Sequence, residues 1–214
     1  MTVPRPLPLV AAFEGPCCAG KTTLAQRLLT SLRGLRAAFV PCYADHVGGG
    51  RYLPRQEAKT VQERNEALQE LLAVEAGRFA TTAPGADVIL ADRSIHTLLA
   101  HSYALEIMTG IGFLAPSLRL LSRSPIPAWP QLVFYLDLPQ EAVCARNHGK
   151  FPADSIYTDP QFNAAVRSYF LRLAGQKTTC LAWLDAMLEP AELARLAETR
   201  LRQVVALRNT QGAI

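Results

Sequence analysis

Eight consecutive residues, Gly15-Pro16-Cys17-Cys18-Ala19-Gly20-Lys21-Thr22, match the pattern G-x-x-x-x-G-K-[ST] in full, and Thr23 follows. The chemistry this spacing suits is the gripping of a polyphosphate. A loop that turns on glycines points successive backbone N–H groups at phosphate oxygens, and the helix that follows adds its positive N-terminus. Lys21 then reaches the β- and γ-phosphates, and the Thr22 hydroxyl is placed to ligate Mg²⁺. Asp92 closes the apolar run Val88-Ile89-Leu90-Ala91. A carboxylate there can hold a Mg²⁺-bound water. Asp137 and Asp185 close other apolar runs and compete for that role, although strand-end aspartates also serve as caps and turns. Arg93 favours Asp92, because a cation beside it suits an anionic acceptor or a transferring phosphoryl group.

These residues need elements to hold them. Leu9–Phe13 reads as a buried strand and Lys21–Leu32 as a helix. Ala37–Cys42 is a second strand, followed by a polar, glycine-rich stretch. A long helical pattern runs from about Gln56 to Thr81, broken by Pro84 and Gly85. Val88–Ala91 is a third strand, Ser94–Leu105 a helix, and 106–130 an irregular, proline-limited stretch. Leu132–Leu136 is a fourth strand, Pro139–Asn147 a helix with proline in its first turn, and 147–160 a polar loop. Gln161–Ala174 is helical, Thr179–Leu184 a fifth strand, and Glu189–Arg208 a closing amphipathic helix. Short buried strands alternating with helices predict an α/β fold with a parallel sheet covered on both faces. Ligands then bind at the carboxyl ends of the strands, where Gly15–Thr22, Asp92-Arg93, Asp137 and Asp185 all fall.

Composition bounds the remaining readings. The chain has 214 residues, half of them apolar and 19% charged, which suits one domain over 1–214 with a packed core. The net charge is +4, and Arg outnumbers Lys 18 to 4 without forming a run. Scattered charge argues against a nucleic-acid stripe and leaves small anionic substrates open. The apolar runs are too short to cross a bilayer, and an N-terminus with three prolines in eight residues does not read as a secretory signal. The expected location is the cytoplasm. Five cysteines without C-x-x-C spacing suggest free thiols rather than a disulfide framework or a zinc site. His96 and His101 could face the cleft but are expected on a helix surface, and Arg146 and Lys150 flank a basic turn that is either a mobile loop closing over phosphates or simply solvated.

The chain resembles the thymidylate kinase branch of P-loop nucleoside and nucleotide kinases. Phe13-Glu14-Gly-Pro-Cys-Cys-Ala-Gly-Lys-Thr-Thr23 is similar to that family's Phe-Glu-Gly-x-Asp-Gly-Ala-Gly-Lys-Thr-Thr, and Asp92-Arg93-Ser94 to its Asp-Arg-Tyr or to the Arg-Ser variant of deoxynucleoside kinases. Glu75-Ala-Gly-Arg78 looks like its acceptor-contacting helix segment, and Glu141 and Arg146 fit its approach to the lid. The resemblance implies a P-loop NTPase fold of three αβα layers, with a five-stranded parallel sheet of order 2-3-1-4-5 and a short lid over about 147–160. It implies ATP and Mg²⁺ as donor complex, a small-molecule phosphoryl acceptor, and no nucleic-acid or membrane partner. A homodimer is compatible with it. Gly15 through Thr23 would bind the donor, with Arg146 on adenine or the donor phosphates. Lys21, Asp92, Arg93 and Arg146 would be the catalytic set, and Thr22 and Asp92 the metal side. Arg78 and Arg93 would hold the acceptor, joined by Glu14 and Asp45 on the acceptor side.

Two departures point to an acceptor other than thymidylate. Cys17 stands where the family has aspartate, and Pro41-Cys-Tyr-Ala-Asp45-His46 replaces the expected Arg-Glu-Pro-Gly-Gly. If the acceptor group is a phosphate no general base is needed. If it is a hydroxyl, Glu14, Asp45 and Asp92 are the candidate bases. A P-loop switch that hydrolyses nucleotide to exchange partners is the alternative, though the chain has no Asn-Lys-x-Asp base reader.

Overall fold

A computed structural model describes residues 7–49, 53–54, 57–80, 85–125, 129–176 and 179–211. Five parallel strands form the centre: β1 (Leu9–Glu14), β2 (Ala37–Val40), β3 (Val88–Asp92), β4 (Leu132–Asp137) and β5 (Cys180–Asp185). Their order is β2-β3-β1-β4-β5, as the resemblance implies. Eight α-helices surround the sheet among the described residues: α1 (Lys21–Ser31), α2 (Tyr43–His46), α3 (Val61–Ala80), α4 (Ile95–Thr109), α5 (Leu114–Ser122), α6 (Gln140–Asn147), α7 (Pro160–Ala174) and α8 (Pro190–Gln211), with a short 3-10 helix at Ile156–Thr158. None is long and apolar enough to cross a membrane.

β1 shows why the central strands read as unbroken apolar runs. Its alternate residues point to opposite faces, and both faces are covered. Leu9, Ala11 and Phe13 pack with Leu24 and Leu28 of α1 and Leu193 and Leu201 of α8. Ala12 packs the other way, with Ala100 of α4 and Phe170 of α7. Phe13 stacks on Phe134 of β4 with centroids 5.3 Å apart. The register sets Phe13 opposite Asp92 and Glu14 opposite Tyr135, so the polar ends of β1 and β3 emerge side by side.

Several elements differ from expectation for local reasons. β2 stops at Val40, because Pro41 brings no N–H to the ladder. Tyr43–His46 is a short helix rather than loop. The expected ends of the long helix at Gln56 and Thr81, and the Pro84 break, lie outside the described residues. α5 occupies part of the stretch expected to be irregular. Pro116 sits in its first turn, where no N–H is required. Glu106 accepts a bond from the Leu114 N–H at 2.9 Å, meeting a donor at the start of that helix.

The loop after β1 depends on one glycine. Gly15 has φ 129°, and a Cβ there would collide with the Leu136 carbonyl oxygen. Gly15→Ala is therefore expected to destabilise the fold by at least ~2 kcal/mol, combining left-handed strain with a backbone clash. Urea unfolding checks this, and a change below about 0.5 kcal/mol, the range of ordinary surface substitutions, would contradict it.

Candidate functional site

The loop 15–20 links β1 to α1 at the carboxyl end of the sheet. Cys18 and Gly20 adopt left-handed φ values of 63° and 87°. Gly20 is the N-cap of α1 and brings no side chain to it, and nothing lies within 4 Å of where its Cβ would be. No side chain caps the first turn of α1, and a helix N-terminus left with unmet N–H groups is the arrangement that receives an anion. The Lys21 ammonium folds back onto the loop, donating to the Pro16 carbonyl at 2.6 Å and the Gly15 carbonyl at 3.2 Å. Burial lowers its pKa to about 8, with Arg93 pushing in the same direction. The two sulfurs of the loop are free thiols, Cys17 buried and Cys18 half-buried. Burial raises the Cys18 thiol above its ordinary pKa.

Three strand-end aspartates compete in the sequence, and their surroundings separate them. Asp137 accepts from Arg167 and from the Trp183 indole, the latter at 3.0 Å. Asp185 accepts the Met187 N–H at 2.8 Å and so closes a turn. Asp92 is buried at the tip of β3 and accepts a short bond from the Thr22 hydroxyl. A hydroxyl and a carboxylate thus meet beside Lys21. This oxygen pair suits a hard divalent cation, directly or through its waters.

The turn after Asp92 is built under strain. Arg93 has φ 69°, a left-handed conformation that is unfavourable for a side chain with a Cβ. Bonds on both sides hold it. The Arg93 N–H donates to the Phe13 carbonyl at 3.0 Å. Glu14, buried at the end of β1, accepts from the Ser94 N–H at 2.9 Å, the Ser94 hydroxyl at 2.7 Å and the Thr97 hydroxyl at 2.5 Å. Burial raises the Glu14 carboxyl above its usual range, opposed by the Thr97 bond and by the charge of Arg93. From α3, Arg78 donates to the Asp92 carbonyl at 2.8 Å and the Arg93 carbonyl at 3.0 Å. Ser94 in turn caps α4 by accepting the His96 N–H.

Arg78 lies beneath this turn. Its guanidinium is fully buried, paired with Glu75, set over the Tyr43 ring at 4.0 Å, and bonded to the Pro41 carbonyl at 2.7 Å. These bonds support the turn. Burial also pushes the Glu75 carboxyl up, against the pull of Arg78. Asp45 lies exposed on α2. Arg146, in the last turn of α6, donates to the Ala186 carbonyl at 3.1 Å, fixing it against the turn between β5 and α8. Hydrogen bonds order the segment expected as a lid. The Asn147 side chain brackets the Phe151 backbone at 2.8 and 2.9 Å, and Gln140 holds the Thr158 carbonyl at 2.8 Å.

The two histidines expected on the surface of α4 are both buried, His96 at 3% exposure and His101 at 5%. Sequence reasoning set them aside because a helix start gives no sign of which side another helix will cover, and here α7 packs along α4. Thr97 and His101, with Cys17, Arg93, Tyr157 and Phe162, enclose a cavity of about 30 Å³ beside the loop. The spacing of Ser94, Thr97 and His101 (i, i+3, i+7) was the available signal that one face of α4 looks toward the loop.

Two solved structures of a deoxyadenosine kinase from M. mycoides share this fold. One, with products dCMP and a flexible dCDP, has a TM-score of 0.67 at 10% identity and covers 92% of this chain and 100% of that chain. The other, with bound dCTP, has a TM-score of 0.64 at 13% identity and covers 91% and 100%. With the loop and the strand order in place, the molecule is a P-loop kinase of the nucleotide and nucleoside kind. No family model matches the sequence. A thymidylate kinase from Xanthomonas euvesicatoria pv. vesicatoria (strain 85-10) is 31% identical over 174 residues, which span 79% of this chain and 74% of that protein. The chain belongs to the thymidylate kinase family.

Two measurements test the site. Lys21 carries its charge below pH 8 and loses it above, so ¹³C NMR of labelled lysine side chains should show one ammonium titrating near 8, absent in Lys21→Met. Titration of all lysines near the ordinary value would contradict the enclosed position. Arg78→Ala leaves Glu75 buried without its partner and should destabilise the fold by ~3–5 kcal/mol in urea. A loss below about 1 kcal/mol would contradict its supporting place.

Proposed function

We propose that the chain transfers the γ-phosphoryl group of ATP to a nucleoside monophosphate, with Mg²⁺. The observation that carries this reading is the convergence of Lys21, the Thr22–Asp92 pair and the strained Arg93 turn at the tips of β1 and β3. The loop amides and the N-terminus of α1 would cradle the donor phosphates, which replace the carbonyl partners of Lys21. Thr22 and Asp92 would hold Mg²⁺, which neutralises charge across the β- and γ-phosphates when bound. Arg146, fixed beside Ala186, would border the adenine end of the donor. Arg93 would meet the group in transfer, where a preset cation stabilises developing charge most.

The acceptor side favours a phosphate over a hydroxyl. Among the described residues that line the cavity beside Arg93, Glu14 is the one carboxylate, and its oxygens are already engaged by Ser94 and Thr97. A hydroxyl acceptor would need a carboxylate free to take its proton, whereas a phosphate acceptor needs none. The 30 Å³ of space there admits about one water. An acceptor would therefore enter only with a local displacement of Tyr157, which couples acceptor binding to a rearrangement there.

An acceptor panel with ATP and Mg²⁺, read by ADP release, tests the proposal. Nucleoside monophosphates should support turnover and plain nucleosides should not; the reverse result would refute the phosphate-acceptor reading. Lys21→Ala and Arg93→Ala should each lower kcat by ~10²–10³ with the fold kept. Turnover within a few-fold of the parent in either would remove that residue from the proposed machinery.

A further inference from the structure

Tyr157 stands in the wall of the small cavity beside Arg93 and Cys17, and it belongs to the short 3-10 helix at Ile156–Thr158. Its ring centroid lies 5.5 Å from that of Phe151 and 6.2 Å from those of His101 and Phe162. Two amide side chains hold the backbone of this helix from outside. Gln140, the first residue of α6, donates from Nε2 to the Thr158 carbonyl at 2.8 Å. Asn163, in the first turn of α7, donates from Nδ2 to the Tyr157 carbonyl at 3.3 Å and to the Gln140 Oε1 at 3.0 Å. The amides thus bond each other and hold consecutive carbonyls, so α6, α7 and the segment carrying Tyr157 meet at one point. Both side chains are half-buried and line a cavity of about 360 Å³ at the tips of β4 and β5. Water there can take over their bonds on release, and a neutral bond that water can replace shifts an equilibrium by only a modest factor. Such bonds suit a catch that opens better than a fixed brace.

We propose that Gln140 and Asn163 form a latch that keeps Tyr157 over the acceptor cavity, and that a nucleoside monophosphate binds the unlatched form; this rests on the phosphate-acceptor reading above. The closed cavity has room for about one water, so the latched and the acceptor-bound forms exclude each other. The apparent association constant of the acceptor is then its value for the open form multiplied by the fraction of molecules that is open. Gln140 is accordingly a positioning residue that acts through the Thr158 carbonyl. Loss of its amide removes two of the three latch bonds, raises the open fraction and tightens acceptor binding. A residue that merely braced the fold would have the reverse effect. The donor side is held separately, by the bonds of Lys21 to the loop carbonyls and of Thr22 to Asp92.

The test compares the full chain with Gln140→Leu, which removes both bonds of the amide, and Gln140→Glu, which keeps the bond from Asn163 and loses the one to Thr158. Hydrogen exchange read by mass spectrometry should show the amides of 156–159 exchanging about threefold to tenfold faster in Gln140→Leu and less so in Gln140→Glu, with α4 unchanged. Calorimetry follows, with thymidine 5′-monophosphate and adenosine 5′-monophosphate titrated separately. The nucleotide that binds the parent should bind Gln140→Leu more tightly by a similar factor, while the affinity for ATP and Mg²⁺ stays the same. Circular dichroism confirms folding, and Gln140→Glu carries both measurements if the leucine variant does not fold. Unchanged exchange at 156–159 overturns the latch, and so does equal or weaker nucleotide binding in the variants. If neither nucleotide binds any of the three proteins, the phosphate-acceptor reading fails separately, and the exchange result alone decides whether the amides hold the segment.

Discussion

The left-handed turn at Arg93 is the constraint on which the site depends. A residue with a Cβ at φ 69° persists only where its surroundings over-determine it. Here the ladder bond to Phe13, the Glu14 carboxylate under Ser94, and the Arg78 guanidinium under the Asp92 and Arg93 carbonyls do so together. The same bonds tie β1, β3, α3 and α4 at one point. The arginine presented by the turn and the aspartate before it are therefore set before any ligand arrives. That preorganisation is what charge stabilisation in phosphoryl transfer requires.

The phosphate loop is arranged in the opposite sense, with its key cation engaged internally. Lys21 rests on the Pro16 and Gly15 carbonyls, and burial pulls its pKa down to about 8. An incoming phosphate offers that ammonium a stronger partner than two neutral carbonyls. Binding energy for the proposed donor would thus come partly from relieving a poorly solvated charge. The loop would exchange partners without refolding, because Gly15 against Leu136 and Gly20 at the head of α1 already hold its shape.

The parts legible in the sequence were those that chemistry fixes locally. Gly15 through Thr22 could be read directly because glycine, lysine and threonine at those offsets serve one purpose, and the sheet followed from five short apolar runs. Asp92 was favoured over Asp137 and Asp185 on its neighbour Arg93, and the bond from Thr22 distinguishes it structurally. Residues whose surroundings are set by distant segments were not legible. The enclosure of Arg78 by Glu75 and Tyr43 is one such case. His96 and His101 looked like surface residues until α7 covered α4. α5 was hidden by Pro116, which a first turn tolerates.

Calorimetric titration of the full chain with ATP and Mg²⁺, repeated on Lys21→Ala, is the most direct measurement of whether this pocket grips a triphosphate. The account predicts saturable heat of binding in the parent chain and its loss in the variant. Absence of any heat from the folded parent, or equal affinity in both proteins, would contradict it.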